Sequence, residues 1–452
     1  MSENKKVAMV SLGCPKNLVD SEVMMGMLAR QGYEMTTDAQ AAEVLVVNTC
    51  GFIDSARQES VNTILEMAQL KQTGSLKRLV VAGCLVERYR DELRLEIPEI
   101  DAVIGVNQLK EIESVVEPNG RRSLPVYSDG ASVPELYLYD ETTPRLRATA
   151  PYTSYVKIAE GCDHTCAFCI IPKLRGVFRS RSPESIIREV EILTAQGVKE
   201  FVLISQDTTT YGSDLALADG LARLVDSIAD VPGVEWVRFM YCYPTAITDE
   251  LLRVMAARPN VCKYFDIPLQ HASRRVLQRM RRGGNRESYE RLIERIRGRV
   301  PGVAIRTTFI AGFPGEREED FDELVEFVKT AEFDRVGVFT YSDEENAAAF
   351  ELDGKVDPAI AARRGERLMK EQLRISRRKN RKLIGGRVRV LLEGTSKESD
   401  LLLEGRMETQ APEIDGSVLI NDAPDGVNPR PGDFVTVEIT AAQDYDVVGR
   451  IV

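Results

Sequence analysis

Histidine is nearly absent from this 452-residue chain: His164 and His271 are the whole complement. That scarcity leaves little room for a histidine-rich zinc or non-haem iron centre and makes thiolate the main metal-binding option. Any uninterrupted apolar run of 18 residues is also lacking, so no membrane span is expected. The opening MSENKKVAMVSLGC has no secretory pattern and runs straight into a strand-like stretch, which points to the cytoplasm. An excess of positive charge is missing as well. The net charge of −11 argues against whole-molecule attraction to nucleic acid, although a local basic patch stays compatible with it. With 43% hydrophobic and 29% charged residues, the chain reads as ordinary globular protein. Its length suits about three domains at roughly 150 residues each.

Eight cysteines are too few in a chain this long to form a disulfide framework. In a reducing compartment, clustered cysteines more often bind metal or do chemistry. Three of them, Cys162, Cys166 and Cys169, fall within EGCDHTCAFCIIP. This C-x3-C-x2-C spacing offers three thiolates from one tight loop. That is one fewer than a closed tetrahedral zinc site or a fully ligated four-iron cluster requires. A cluster held this way keeps one iron open to a small molecule. A zinc knuckle needs a fourth ligand, and His164 lies inside the loop, badly placed to close a tetrahedron with its own neighbours.

The first third alternates apolar strands with helices. Strands are predicted at 7–12, 44–49, 79–83 and 102–106, each continuous enough to be buried on both faces. This pattern implies an open parallel α/β sheet. Cys14, Cys50 and Cys84 each fall just beyond the C-terminal end of one of these strands, 36 and 34 residues apart. Ligands of open α/β sheets gather along that carboxyl edge, so these three thiols form a candidate second metal site. Taken singly, each reads better as a small buried hydrophobe; it is the three equivalent placements together that favour a site. Cys242 and Cys262 fall in or beside later strands and read as core.

Residues 118–150 are rich in Pro, Gly, Ser and Thr and mark an irregular connection. Strands then resume at 155–161, 200–207, 236–242, 264–270, 304–312 and 335–342, with helices between them. Six βα units predict a partial (β/α)6 barrel, with the cysteine loop at the end of its first strand. Ser182-Pro183-Glu184 supplies the start of the first barrel helix. One long helix is predicted over 358–384, carrying ten Lys/Arg against Glu366 and Glu371 and ending at Gly385-Gly386. It reads most simply as a solvated connector; contact with RNA phosphates is the sharper alternative. From 387 onward, short strands and turns predict a small antiparallel β-barrel, with 13 Asp/Glu against 6 Lys/Arg, a net of −7. The domains are accordingly expected at 5–120, 151–384 and 385–452, with 121–150 as linker.

Gln206, Asp207, Gln270, His271 and Arg306 sit at or near strand ends, where one or two of them should meet a cofactor or substrate. The run Ala311-Gly312-Phe313-Pro314-Gly315-Glu316 is either a turn that needs glycine or a close backbone approach to a cofactor.

Taken together, SLGCPKNLVDSE, VVNTCGFIDSA, VAGCLVER, EGCDHTCAFCIIPKLRG, FRSR, DIPLQHAS and GFPGE resemble the radical S-adenosylmethionine (SAM) methylthiotransferases nearly end to end. The resemblance implies a methylthiotransferase N-terminal domain, a radical SAM partial barrel and a TRAM β-barrel. It implies that Cys162, Cys166 and Cys169 bind a SAM-cleaving [4Fe-4S] cluster, with SAM on its open iron, and that Cys14, Cys50 and Cys84 bind an auxiliary [4Fe-4S] cluster. Phe168, Gln206, Arg306 and Gly312 are the further cofactor-binding candidates. A reducing electron donor is implied as a partner. Two branches of the family compete. The MiaB-like branch modifies a tRNA adenosine; the RimO branch modifies an aspartate β-carbon of small-subunit ribosomal protein S twelve. Pro15-Lys16-Asn17 after the first cysteine resembles the RimO branch, and an acidic C-terminal barrel suits a basic ribosomal protein better than a tRNA backbone. Contact with ribosomal RNA would then fall to the basic helix. A non-enzymatic iron–sulfur RNA-binding or sensor protein is the distant alternative. One departure stands out: Asn346-Ala347-Ala348 follows YSDEE where relatives are expected to have Gly-Thr.

Overall fold

Strands Val44–Thr49 and Arg78–Gly83 are buried at every position, as their unbroken apolar character demands, and they form the middle of a five-stranded parallel sheet. The computed structural model describes residues 5–117 and 137–452, so 121–136 of the expected linker lie outside the described residues. In the first sheet β1 is Lys6–Ser11, β2 Glu34–Thr36, β3 Val44–Thr49, β4 Arg78–Gly83 and β5 Ala102–Ile104, arranged in the order β2-β1-β3-β4-β5. The edge strand β2 has three residues and was not expected, because so short a segment shows no periodicity. The strands that lead to the three N-terminal cysteines are consecutive neighbours in this sheet. Adjacent strands lie about 4.8 Å apart, so three strand ends fall within roughly 10 Å.

The central unit contains six parallel strands: β6 (Thr153–Lys157), β9 (Glu200–Ile204), β10 (Trp236–Phe239), β11 (Tyr264–Asp266), β12 (Ala304–Ala311) and β13 (Arg335–Thr340), together with a small ribbon of β7 (Ala159–Glu160) and β8 (Arg179–Ser180). They pair as β6-β9-β10 and β11-β12-β13. The two halves meet through the parallel bridge Val237–Val261 and the hydrogen bond from Cys242 N–H to the Asp266 carbonyl, 2.8 Å. All six strands end earlier than the sequence suggests. The apolar residues that follow them leave the ladder and turn into the mouth, which hydrophobicity does not distinguish from strand. Ser182 caps the helix Pro183–Ala195 by accepting from Ser185 N–H, with Pro183 at its first position. Cys242 and Cys262 are buried in the core.

The final unit is a closed barrel of β14 (Arg387–Thr395), β15 (Leu403–Met407), β16 (Val418–Asp422), β17 (Phe434–Ala442) and β18 (Val447–Ile451), in the ring order β14-β15-β16-β18-β17. It departs from a purely antiparallel barrel at one seam, where β16 and β18 are parallel. The reason is topological: strand direction must reverse an even number of times around a ring, so five strands cannot all be antiparallel. The predicted helix before it spans Pro358–Arg381. It holds nine of the ten cations, with Lys382 at its C-cap, and six are paired: Arg364 with Glu316, Arg367 with Asp322, Arg374 with Glu371, Arg377 with Asp444, Arg378 with Glu332 and Lys379 with Asp334.

The first sheet unit covers the C-terminal mouth of the six strands, and the closed barrel sits at their N-terminal ends. At the lower junction Arg406 reaches Glu200 at 2.6 Å, and Arg238 approaches the same carboxylate at 3.4 Å, all three buried. Trp236, the chain's one tryptophan, meets the Phe434 ring edge-on at 4.8 Å. Burial alone would raise the Glu200 carboxyl, but Arg406 and Arg238 bring it from its ordinary 4.5 down to about 2. A carboxylate with a lower pKa folded than unfolded stabilises the fold above its unfolded pKa, and that contribution is lost as pH falls through the folded value. The junction should therefore hold full strength above about pH 5 and lose about 3 kcal/mol between roughly pH 4.5 and 2. Urea titrations of the apoprotein followed by Trp236 fluorescence check this. An Arg406→Met variant should show a flatter acid limb, and an unchanged one counts against the assignment.

Candidate iron–sulfur and SAM site

The local sequence explains how each N-terminal cysteine is presented. Gly13, at φ +87°, turns the chain off β1, and a Cβ there would come within 2.7 Å of Cys50 Cβ. A side chain at that position would push the first two cysteines apart. Pro15 opens the helix Pro15–Arg30. Asn17 Nδ2 then donates to the Leu12 and Thr49 carbonyls at 3.1 and 2.9 Å, tying the end of β1 to that of β3. Ser60 Oγ accepts from Cys50 N–H at 3.1 Å and donates to its carbonyl at 2.9 Å. Burial pushes the Cys84 thiol up to about 12, against the pull of Arg175, and Cys50 also moves up through burial. For Cys14 burial acts the same way, but Lys16 and Arg175 outweigh it and hold that thiol below its ordinary value.

The second triad is pinned by its backbone. Ala167 N–H donates to the Met280 carbonyl at 2.8 Å, and the Ala167 carbonyl accepts from Ala349 N–H at 2.7 Å. Asp163 caps Phe178 N–H at 2.9 Å. Ile171 N–H donates to Cys169 Sγ at 3.5 Å, and Arg282 Nη1 donates to Cys166 Sγ at the same distance while lying over the Tyr243 ring at 4.4 Å. Burial pushes Cys162 up to about 11 and Cys169 up to about 12. Such thiols become ligands by giving their protons up to a metal. His164 stacks on Tyr243 at 3.8 Å, with Nε2 2.6 Å from Asp207, so its ring is already committed to those two partners. Among the described residues, no three His, Cys, Asp or Glu side chains stand close enough to hold a single metal ion.

Two cavities open in this region, the first of them lined by the Cys162, Cys166 and Cys169 loop. One, of about 640 Å3, is lined by Cys162, Cys166, Cys169, Lys173, Arg281 and Asn346. The other, of about 810 Å3, lies between the Phe52–Arg57 turn after Cys50 and the barrel residues Phe168, Tyr241, Gln270 and Thr308. Tyr241 and Gln270 hold φ of +64° and +70°, a strained state for non-glycine residues that clusters at binding sites. Asn346 sits at φ +68°, a left-handed position that asparagine tolerates and glycine takes freely. That accounts for asparagine standing where relatives were expected to have glycine. Cys84, Ile170, Leu174 and Ala347 pack in one small apolar cluster with Phe52 against it, so the two triads share a wall.

The remaining sequence candidates disperse. Phe168 lines the larger cavity. Gln206 Nε2 donates to Glu160, deep in the interface. Arg306 lies inside the barrel, 2.7 Å from Asp266 and 3.9 Å from Asp415 of the closed barrel. At Gly312, a Cβ would approach Ala361 Cβ to 2.3 Å, and the Gly312 and Phe313 amides donate to Glu316 at 2.8 and 3.2 Å. The close approach there is to the helix Pro358–Arg381. His271 is fully buried, its Nδ1 accepting from Ser273 N–H at 3.0 Å. Sequence reading overlooked Tyr241, Arg282 and Arg175 as site residues. Only Arg175 left a trace, in the PKLRG that follows the cysteine loop.

Comparison with known proteins agrees with this arrangement. Residues 6–105 match the uncharacterized protein family UPF0004, 156–328 the radical SAM superfamily and 384–452 the TRAM domain. Membership of the radical SAM superfamily implies SAM and a [4Fe-4S] cluster. A radical S-adenosylmethionine methyltransferase, TsrM, from Kitasatospora setae shares the fold with a TM-score of 0.55 at 14% identity, covering 82% of this chain and 89% of that one. Among the described residues, no helix is long and apolar enough to cross a membrane. A protein of Solibacter usitatus named ribosomal protein uS12 methylthiotransferase RimO is 54% identical, over 99% of this chain and 94% of its own length. Proteins of the same name from Koribacter versatilis and Geobacter sulfurreducens are 51% and 46% identical, each over 99% of this chain and over 96% and 99% of their own lengths. Identity at this level over nearly the whole length shows that the chain belongs to the RimO family of ribosomal protein uS12 methylthiotransferases.

Proposed function

We propose that this chain transfers a methylthio group to the β-carbon of an aspartate in uS12, the small-subunit ribosomal protein S twelve. We assign Cys162, Cys166 and Cys169 to a SAM-cleaving [4Fe-4S] cluster and Cys14, Cys50 and Cys84 to an auxiliary one. The observation that carries the reading is the common wall between the two triads, with a large cavity running from the Cys50 turn to Phe168. When bound, such groups supply reductive cleavage of SAM to a carbon-centred radical at one end and sulfur at the other. An unactivated C–H bond, which acid–base chemistry does not readily open, then becomes reactive. The protein's own part is placement and exclusion of water. Tyr241 and Gln270 shape the floor of the cavity, Phe168 its wall, and the Glu344 carboxylate clamps the two units over it. That carboxylate accepts from Arg57 at 2.6 Å and from Arg88 at 2.8 Å, and Arg88 also donates to the Gly51 carbonyl beside Cys50. Water kept out of the cavity cannot quench a radical.

A basic ribosomal protein is favoured over tRNA as substrate by the C-terminal net charge of −7. Intramolecular pairing of six cations on the helix Pro358–Arg381 leaves Arg363, Lys370 and Arg381, with Lys382 just beyond it, as the residues for any ribosomal RNA contact. An external reductant is required as electron donor. Mass spectrometry of uS12 and of tRNA nucleosides from a strain lacking the gene provides the test. The methylthio mark should vanish from uS12, return on complementation, and leave tRNA adenosines unchanged. A mark that persists on uS12 removes the proposal, and one lost from tRNA transfers it to the MiaB-like branch.

A further inference from the structure

The five-residue helix Ile171–Arg175 touches both thiol triads, one at each end. Its first amide donates to Cys169 Sγ at 3.5 Å, and its last side chain reaches across the interface to Cys84 Sγ, with Arg175 Nη2 at 3.6 Å. The same Nη2 donates to Asn17 Oδ1 at 2.6 Å, and that oxygen lies 3.8 Å from Cys84 Sγ. The guanidinium is 2% exposed and is held from behind by two carboxylates, Glu160 at 3.0 Å and Asp20 at 3.2 Å. Lys157 bridges the same pair, 2.7 Å from Glu160 and in direct contact with Asp20. Burial alone would raise the Glu160 carboxyl, but Arg175 and Lys157 overcome it and hold that group well below the usual carboxylate range.

A buried arginine fixed on three sides, with its free edge on a thiol, is more than a domain fastener. Lys157 already bridges Asp20 and Glu160 and would have closed the interface without Arg175. The extra donor directed at sulfur withdraws electron density from that ligand, and hydrogen bonds and positive charge at cluster sulfurs raise reduction potential. We propose that Arg175 is a positioning residue of the Cys14/Cys50/Cys84 centre. It orients the Cys84 thiolate and raises the centre's potential, and through Ile171–Arg175 it fixes that thiolate relative to the Cys169 loop. The inference rests on the assignment of that triad to a cluster.

The test uses the full-length chain with Cys162, Cys166 and Cys169 all changed to Ala, so that only the second triad can hold iron. Anaerobic reconstitution, iron and sulfide analysis and an EPR-monitored redox titration are carried out with Arg175, Arg175→Lys and Arg175→Gln. With Arg175 present, about four irons per chain are expected. In Arg175→Gln the midpoint should move negative by about tenfold or more in the reduction equilibrium, about 59 mV for one electron. Arg175→Lys keeps the charge that Asp20 and Glu160 need, so it folds even if the glutamine variant does not. Its single ammonium cannot grip carboxylates, Asn17 and sulfur together, and its midpoint should fall between the other two. Absence of iron when Arg175 is intact overturns the cluster assignment and the inference with it. Iron bound at an unchanged potential in the lysine variant, or lowered thermal stability alone, overturns the inference and leaves the assignment standing.

Discussion

Cys166→Ala is expected to abolish 5′-deoxyadenosine formation from SAM. Cys166 belongs to a loop whose backbone is fixed by Cys162 N–H and Ala167 N–H donating to the Gly176 and Met280 carbonyls, and whose Cys169 thiol accepts from Ile171 N–H, so nothing in the loop can slide over to replace it. Arg282, now 3.5 Å from Cys166 Sγ, would face an empty position with its charge uncompensated by sulfur. Losing an outer-sphere partner of a metal site typically costs 10–100-fold, and losing a ligand should cost more than about 100-fold. Iron should fall from about eight to about four per chain, because the other triad is untouched. Anaerobic assays with a strong reductant and chromatographic detection of 5′-deoxyadenosine make the measurement. Cleavage at the wild-type rate would show that this loop is not the SAM-cleaving centre.

Cys50→Ala should give the opposite pattern: SAM cleavage continues while methylthio-aspartate disappears from a uS12 substrate. Cys50 lies on the first sheet unit, and its backbone is held from both sides by Ser60, so the alanine changes the ligand and little else. The Gly13 approach and the Asn17 ties keep the neighbouring strand ends in place. Iron should again drop to about four per chain, this time with the cleavage centre intact. Mass spectrometry of the substrate and 5′-deoxyadenosine analysis of the same reaction separate the two effects. If both activities vanish together, the triads do not act as separate centres.

Much of this site was written in local sequence. The C-x3-C-x2-C loop is local because all three thiols come from eight consecutive residues, and its role needs only its own spacing. Cys14, Cys50 and Cys84 were legible for a different reason. In a parallel sheet every strand ends on the same edge, so residues after consecutive strands must converge. The closed C-terminal barrel and its acidity, the long helix and the family resemblance likewise needed nothing beyond the chain's order.

Contacts made across units were not legible, because their partners are far apart in sequence and carry no periodic signal. Arg175 reaches Cys84 over 91 positions, Arg57 reaches Glu344 over 287, and Arg306, already paired with Asp266, also faces Asp415 of the closed barrel. Gly312 shows the same limit. Sequence left a tight turn and a cofactor contact equally open, and the packing of Ala361 against it decided what its missing side chain is for. Chain order was thus enough to single out six thiols as metal-ligand candidates, the sheet edge that carries three of them, and the family that the chain resembles. Tertiary structure alone decided that the two triads share a wall, that a buried arginine spans it, and that strained Tyr241 and Gln270 line a cavity with the Phe52–Arg57 segment and Phe168, since each depends on how separately folded units dock.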